Sequence, residues 1–434
     1  MLAGPAKLSL ARRDLLRTDV PMPTSTPKPP PLSSYLRRLL GFLCLVALFD
    51  GYDLYAISQT LPELRAAFGL SPTAGSRLLA VANLGTIAAF LLVRLADRFG
   101  RRPLLLLCVT GYSSAALLSA LAPGPELFLL GQFAGRFFLV SALAMVVLYA
   151  SEEYPADRRG RIIGIIQACY SLGAILCAGL TPRLLQAATG WRTVYLLGSV
   201  SLALLPVGAL ILRETRRFQK ARELTRPPPL VPSLPRAPYQ TRMLQLAMIW
   251  LATFICNQST TVFWKEFARA ERGLSNQRIG AWIAIAALVA LPLTVLAGRL
   301  IDRFGRRRSA VLIYLAAALG TLGSYSQLPE NVLIVSLMLL IAGTSSAIAL
   351  LNTWTAESFP TELRGDSLAW SSGLIGRLGF VLSPLLVAEL VAPLGWGPSL
   401  SLMVVFPLLA LGLTLLWLPE TAGKELEESA EFRR

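Results

Sequence analysis

The sequence contains no histidine, and only 15% of its 434 residues are charged. Without imidazole, the usual carrier of protons near neutral pH and the commonest zinc ligand are both missing, so a proton or a metal would fall to carboxylates and thiols. The five cysteines (Cys44, Cys108, Cys169, Cys177, Cys256) do not fill that gap, since no Cys-x-x-Cys pair occurs and all five lie within apolar runs. They are packing residues, and neither a disulfide scaffold nor a zinc module is expected. A phosphate-binding glycine loop, a metal cluster and a nucleophile constellation are also missing, which argues against an enzyme and against any cofactor. Acidic residues are scarce beside basic ones, 25 against 41, giving a net charge of +16. A basic face would suit nucleic acid, but these arginines sit in short turns between apolar runs, so nucleic acid is not an expected partner. No cleavable signal is apparent: Arg12-Arg13 is not followed by the apolar run that a twin-arginine signal needs, and the first apolar stretch can itself direct insertion.

What the chain has in abundance is hydrophobicity, at 54% of residues. Its apolar runs are near 20 residues, the length of a helix crossing about 30 Å of hydrocarbon. They predict helices near 39–59, 75–96, 103–122, 126–149, 161–182 and 193–212, and again near 243–264, 279–299, 309–326, 331–354, 367–389 and 398–417. The expectation is an all-α membrane protein of twelve transmembrane helices in two six-helix pseudo-symmetric halves, residues 35–212 and 243–418. Residues 1–34, with seven of the 29 prolines, read as a disordered tail, and residues 213–242, with eight basic residues and six prolines, as a flexible linker. Residues 419–434 form a second tail.

The halves share landmarks. Val93-Arg94-Leu95-Ala96-Asp97-Arg98-Phe99-Gly100-Arg101-Arg102 returns 205 residues later as Gly298-Arg299-Leu300-Ile301-Asp302-Arg303-Phe304-Gly305-Arg306-Arg307. At the same spacing Tyr154-Pro155 through Arg159-Gly160 returns as Phe359-Pro360 through Arg364-Gly365, and Gly190-Trp191 as Gly395-Trp396. One offset at three landmarks marks a duplicated bundle. Of the 41 Lys and Arg, 31 lie on the side of the repeated turns, 8 opposite and 2 inside helices. The positive-inside rule then places the turns and both termini in the cytoplasm, with the chain in the inner (plasma) membrane. Glycine at 100 and 305 permits tight reversal, and Asp97 or Asp302 at a helix end can pair with an arginine or another helix terminus. Contacts of this kind form in one state and break in another, so Asp97, Arg98, Gly100, Arg101, Arg102, Asp302, Arg303, Gly305, Arg306 and Arg307 are candidate gating residues. Glu152 with Arg159 and Glu357 with Arg364 join them, although ordinary capping would use the same residue types.

Four charges lie inside helices and have no counterpart in the other half: Asp50, Asp53, Arg136 and Arg377. Asp50 is roughly 18 Å along the first helix from Arg38, and Arg136 is roughly 15 Å from the far end of the fourth, which brings both near the midplane. Arg377 lies roughly 20 Å from Arg364, close to the same depth. Asymmetric charge at that depth is where substrate chemistry belongs. One reading is that two acids and two arginines simply pair as buried salt bridges; such pairs are often replaceable, which favours a functional role.

The turns resemble the G-x-L-x-D-R-x-G-R-R hallmark of the major facilitator superfamily, with Val93 in place of the first glycine. Asp50-Gly51-Tyr52-Asp53 resembles the D-G-x-D signature of the superfamily's aromatic acid:proton symporters, and Gly135-Arg136-Phe137 with Gly376-Arg377-Leu378-Gly379 is similar to their arginine motifs. Val140, Ala142, Ala144 and Met145 stand where those symporters carry glycines, and Pro419-Glu420-Thr421-Ala422-Gly423 is similar to the ending of sugar porters. The resemblance implies the major facilitator fold and a secondary transporter of a small organic acid.

On these grounds a guanidinium, Arg377 first and Arg136 second, is expected to receive the carboxylate of an organic anion as a two-pronged partner. With no histidine, a carboxyl must carry the coupled proton, Asp53 first and Asp50 second. Tyr52, Gln132, Gln167, Tyr170, Asn257, Gln258 and Trp370 are candidates to complete the substrate site, though each also suits plain helix packing. The expected partners are a small-molecule substrate, protons and the lipid bilayer, with the chain working as a monomer. Two other readings stay open: a proton-driven exporter of drugs or metabolites, and a membrane sensor that does not transport.

Overall fold

The computed structural model describes residues 33–215, 218–219, 234–235 and 239–421, apart from the side chains at 156, 157, 361 and 362. The expected N-terminal tail up to residue 32, most of the linker and the tail beyond residue 421 lie outside the described residues.

Twelve long helices follow in order: α1 (Ser34–Phe68), α2 (Pro72–Phe99), α3 (Arg101–Leu121), α4 (Pro125–Glu153), α5 (Ala156–Leu184) and α6 (Arg192–Ile211) form the first half. The second holds α7 (Tyr239–Ala270), α8 (Asn276–Phe304), α9 (Arg306–Ser324), α10 (Glu330–Glu357), α11 (Leu363–Leu394) and α12 (Trp396–Trp417). Eleven are long and apolar enough to cross a membrane. The other, α9, begins with three arginines and holds the place that α3 holds in the first half. Leu121, Leu210, Leu319 and Leu416 are largely exposed, as residues are that face lipid rather than water.

Local signals set the ends. Ser33, Ser71 and Ser275 cap α1, α2 and α8 by accepting a main-chain N–H three residues on, and Gly69 ends α1 in the left-handed region at φ 64°. Several spans outrun the expected ones. The first, expected at 39–59, occupies Ser34–Phe68, and the seventh starts at Tyr239 inside the expected linker. Their outer turns carry Arg37, Glu63, Arg65 and Arg242, which lower hydropathy without breaking a helix. Four spans are irregular: α6 and α12 pass through 3-10 turns at Val200–Ala203 and Leu402–Val404, α7 breaks at Phe263, and α11 contains a π-helical stretch at Ala369–Gly376, directly before Arg377.

Packing repeats between the halves. Helix α1 packs on α5, α3 on α4 and α6, and α2 on α4; correspondingly α7 packs on α11, α9 on α10 and α12, and α8 on α10. The halves meet along α2–α11 and α5–α8, two contacts that the pseudo-symmetry exchanges. Each half has its own core near the repeated turns, one around Phe42, Tyr112 and Tyr149, the other around Trp250, Tyr314 and Trp354. At the opposite, far end one core spans both halves, with Tyr52, Leu61, Trp191 and Tyr195 joined to Phe263, Trp264, Trp396 and Leu337.

Candidate functional site

Arg136 on α4 is buried, 4% exposed. Its Nε donates to Asn83 Oδ1 on α2 at 2.5 Å and its Nη1 to Gln132 Oε1 at 3.2 Å. Gln132, one turn earlier on the same face, is fixed in turn by donating to Ser119 Oγ at 2.9 Å. Asn83 Nδ2 donates across the molecule to the carbonyl of Phe380 on α11 at 2.6 Å. None of these partners is charged, so the guanidinium is held in place with its charge uncompensated.

Arg377, half-buried on α11, makes no hydrogen bond or ion pair with its side chain among the described residues. Tyr170 on α5 packs against α1 next to Asp50, where a Cβ on Gly51 would come within 2.0 Å of the Tyr170 carbonyl oxygen. The two acids sit deeper in the first half. Asp50 is 2% and Asp53 8% exposed, and Asp50 Oδ1 and both carboxyl oxygens of Asp53 are buried without a hydrogen-bond partner. Asp53 lies against α6, where a Cβ on Gly198 would come within 1.9 Å of its Oδ1, so only glycine leaves room for the carboxyl. No ion pair joins any of Asp50, Asp53, Arg136 and Arg377 among the described residues, so the four charges are not a structural salt-bridge set. A buried carboxyl without a donor is tolerated far better as the neutral acid than as the anion.

The structure gathers some of the other candidates and not others. Tyr52 is buried, and its hydroxyl donates to the Val194 carbonyl at 3.0 Å, which commits it to packing within the first half rather than to a site between the halves. Gln132 does reach Arg136. Tyr170 and Trp370 are half-buried, Trp370 against the core of the second half, and Gln167 is exposed on α5. Gln258 is buried on α7, and neighbouring Asn257 is half-buried with its carbonyl taken by Thr261 Oγ1.

The repeated turns build two matching cages. In the first, Arg101 Nη2 is 3.0 Å from Glu152 Oε1 and 3.1 Å from Asp97 Oδ1, while its Nη1 donates to the Ala96 carbonyl at 2.9 Å. In the second, Arg306 Nη2 is 2.6 Å from Glu357 Oε1, its Nη1 donates to the Ile301 carbonyl at 3.2 Å, and Asp302 stands back at 3.9 Å, largely exposed. Gly100 at φ 101° and Gly305 at φ 87° occupy backbone that other residues adopt with strain. Arg102 and Arg307 donate to the carbonyls of Ala209 and Leu415, at 3.0 and 2.5 Å. Arg98 and Arg303 are exposed, and Arg303 lies over the Phe304 ring. Arg159 and Arg364 are half-buried outside the cages, Arg364 donating to the Phe359 carbonyl at 3.4 Å.

Each cage closes on a carboxylate that the motifs alone did not single out. Glu214 accepts from the main-chain N–H of Arg101 and Arg102 at 2.9 and 3.3 Å, and Glu420 from Arg306 and Arg307 at 2.8 and 2.9 Å. Both carboxylates therefore sit at the positive end of a helix. Thr215 donates to Glu152, and Thr421 to Glu357 at 2.6 Å. The sequence signal for both is the Glu-Thr pair that follows each half, Glu214-Thr215 and Glu420-Thr421, 206 residues apart.

An ion lock at the far end was not foreseen at all. Glu63 on α1 accepts from Lys265 Nζ at 2.9 Å, Arg269 Nη1 at 2.6 Å and Asn276 Nδ2 at 3.0 Å, and Arg65 Nη1 pairs with Glu266 Oε2 at 2.7 Å. Lys265 also donates to the Gln59 carbonyl, and Lys265 and Glu266 are each 3% exposed. Only their sequence distance, about 200 residues, concealed this pairing. Closer to the turns, Arg94 on α2 pairs with Asp366 on α11.

The Major Facilitator Superfamily model matches residues 43–265 and 246–434. The chain is 27% identical over 422 residues to the gallate transporter of Pseudomonas putida, covering 89% of this chain and 92% of that one. It is 26% identical over 404 residues to the 4-hydroxybenzoate transporter PcaK of Pseudomonas aeruginosa, covering 84% and 88%. Among solved structures, the inward-open xylose transporter XylE of E. coli shares the fold with a TM-score of 0.73 at 21% identity, covering 91% of this chain and 99% of that one. Two matched halves, twelve packed helices and paired turn cages together establish that the protein belongs to the Major Facilitator Superfamily, a multi-pass membrane transporter and not an enzyme.

Proposed function

We propose that the protein carries a small aromatic or other carboxylic acid together with a proton across the inner membrane, as a monomer working by alternating access. The observation that carries this reading is that two guanidinium groups inside the helix bundle, Arg136 on α4 and Arg377 on α11, have no carboxylate partner among the described residues. Uncompensated cationic forks in a low-dielectric site favour a carboxylate ligand, which each can hold through two parallel N–H donors. Relatives named for gallate and for 4-hydroxybenzoate, both aromatic carboxylates, point to the same ligand class.

Asp50 now precedes Asp53 as the proton carrier. Asp50 lies next to Gly51, where α1 is pressed onto the Tyr170 carbonyl of α5, whereas Asp53 is packed against Gly198 of α6. Asp50 takes up the proton that balances the charge of the entering anion. Both charges then cross together as a neutral set. With the repeated turns read as cytoplasmic, the shared far-end core and the Glu63–Lys265 lock close the outer end of the carrier. The far-end lock of Glu63, Arg65, Lys265 and Glu266 gates between the halves, while each turn cage, with Asp97, Arg101, Glu152 and Glu214 in the first half and their equivalents in the second, braces the helices of one half as it moves.

The test is counterflow of labelled benzoate-type acids in proteoliposomes. Uptake of labelled acid driven by unlabelled acid, and lost in Arg377→Ala, supports the reading. Transport of amines that persists in Arg377→Ala overturns it in favour of an exporter of cations.

A further inference from the structure

We propose that Asn83 is a positioning residue that latches the two halves together and releases them when Arg136 takes up the substrate carboxylate. Its amide stands between two groups of opposite need. Arg136 is a donor only and the Phe380 carbonyl an acceptor only, and the Asn83 amide satisfies both at once, Oδ1 toward Arg136 at 2.5 Å and Nδ2 toward Phe380 at 2.6 Å. Aspartate at this position would have no hydrogen for the carbonyl, and an apolar residue would serve neither.

That carbonyl is available for a reason legible in the sequence. Its usual helical donor would be the N–H four residues further on, but residue 384 is proline, which has none. Pro384 thus leaves an unused acceptor on α11, one turn beyond Arg377, facing the other half. The surrounding helices are pressed close enough to transmit a displacement. A Cβ on Gly85 would lie 2.3 Å from the Phe133 carbonyl, which holds α2 against α4, and one on Gly379 would lie 2.7 Å from the Leu251 carbonyl, which holds α11 against α7. Arg136, Asn83 and Phe380 therefore form a short rigid path from the guanidinium to the second half.

The latch rests on the reading of Arg136 as a carboxylate receptor. In the state seen here the far end is shut and Nη2 of Arg136 makes no hydrogen bond among the described residues. A carboxylate taking Nη2 and Nε as a two-pronged partner displaces Asn83 Oδ1 from Nε. The freed amide loses its fixed orientation and its hold on Phe380, and α2 can part from α11 at the far end. Substrate thus lowers the barrier to the conformational change rather than merely riding on it.

The test combines transport kinetics with hydrogen exchange of the intact protein in nanodiscs, followed at the far-end part of α11, residues 385–394. Without substrate, Asn83→Ala and Pro384→Ala should each raise exchange there by about threefold to tenfold, the size of one hydrogen bond between membrane helices. Combining them should add little, because they break the same link. Asn83→Asp should raise that exchange and also raise KM for the acid, since it captures Arg136 as an ion pair; Asn83→Ala should change turnover with little effect on KM. Benzoate added to the wild type should raise exchange in the same segment. Unchanged exchange and wild-type kinetics in both Asn83 variants would overturn the latch even if acids are transported. Raised exchange in the variants with no response of the wild type to any carboxylate would keep the latch and overturn the carboxylate reading.

Discussion

Arg136 and Arg377 differ in how they are prepared for a ligand. Arg136 is aimed by Gln132 and Asn83, so its geometry exists before substrate arrives, whereas Arg377 makes no such contacts among the described residues and lies at the end of a π-helical stretch, the kind of irregularity that recurs at functional sites. Removing either guanidinium should raise KM for the acid by about ten- to hundredfold, the worth of a charge-assisted hydrogen bond of about 1.5–3 kcal/mol. The concentration dependence of uptake measures this, and Arg377→Lys should recover only part of the loss, because an ammonium cannot present two parallel donors. An Arg377→Ala protein with wild-type KM would remove that residue from the site. Gly100 permits a sharper structural prediction. Gly100→Ala puts a Cβ 2.3 Å from Glu214 Oε2 on backbone with φ 101°, and should cost about 1–2 kcal/mol, seen as a lower melting temperature in detergent.

At the level of elements, what the sequence conveyed depended on whether a feature was local. Twenty-residue apolar runs and the Asp-Arg-x-Gly-Arg-Arg turns mark helices and their connections with little help from tertiary structure. Three features did not: the break of α7 at Phe263, the π-helical stretch of α11 and the pairing of Glu63 with Lys265. The first two arise where packing against other helices overrides a continuous apolar pattern, and the third joins residues 202 apart that carry no motif. Tyr52 shows how a cavity candidate can also serve packing, since its hydroxyl donates to the Val194 carbonyl and holds α6. The far-end lock supports its own prediction. Glu63→Gln leaves Lys265 buried without its counter-charge, a loss of about 3–5 kcal/mol for a broken buried pair, and should open the far end. Faster hydrogen exchange across residues 262–276 would register that opening, and unchanged exchange would remove the lock from the gating account.

For the whole molecule, the duplication explains both what repeats and what does not. The contacts α2–α11 and α5–α8 exchange under the pseudo-symmetry, and so do the two turn cages, because both halves must rock about the same axis. The ligand breaks that symmetry, and Asp50, Asp53, Arg136 and Arg377 accordingly have no equivalents. Coupling also belongs to the whole molecule, since the proton and the acid must cross together or not at all. A carrier with Asp50→Asn should therefore still exchange acid for acid while losing the ability to concentrate it. The most direct measurement is accumulation of labelled benzoate-type acid in proteoliposomes under an imposed proton gradient, acid outside, for the wild type and Asp50→Asn side by side. The account predicts accumulation above the equilibrium distribution in the wild type, and in the variant equilibration alone with counterflow intact. Accumulation by the variant equal to that of the wild type, or wild-type uptake indifferent to the proton gradient, would contradict it.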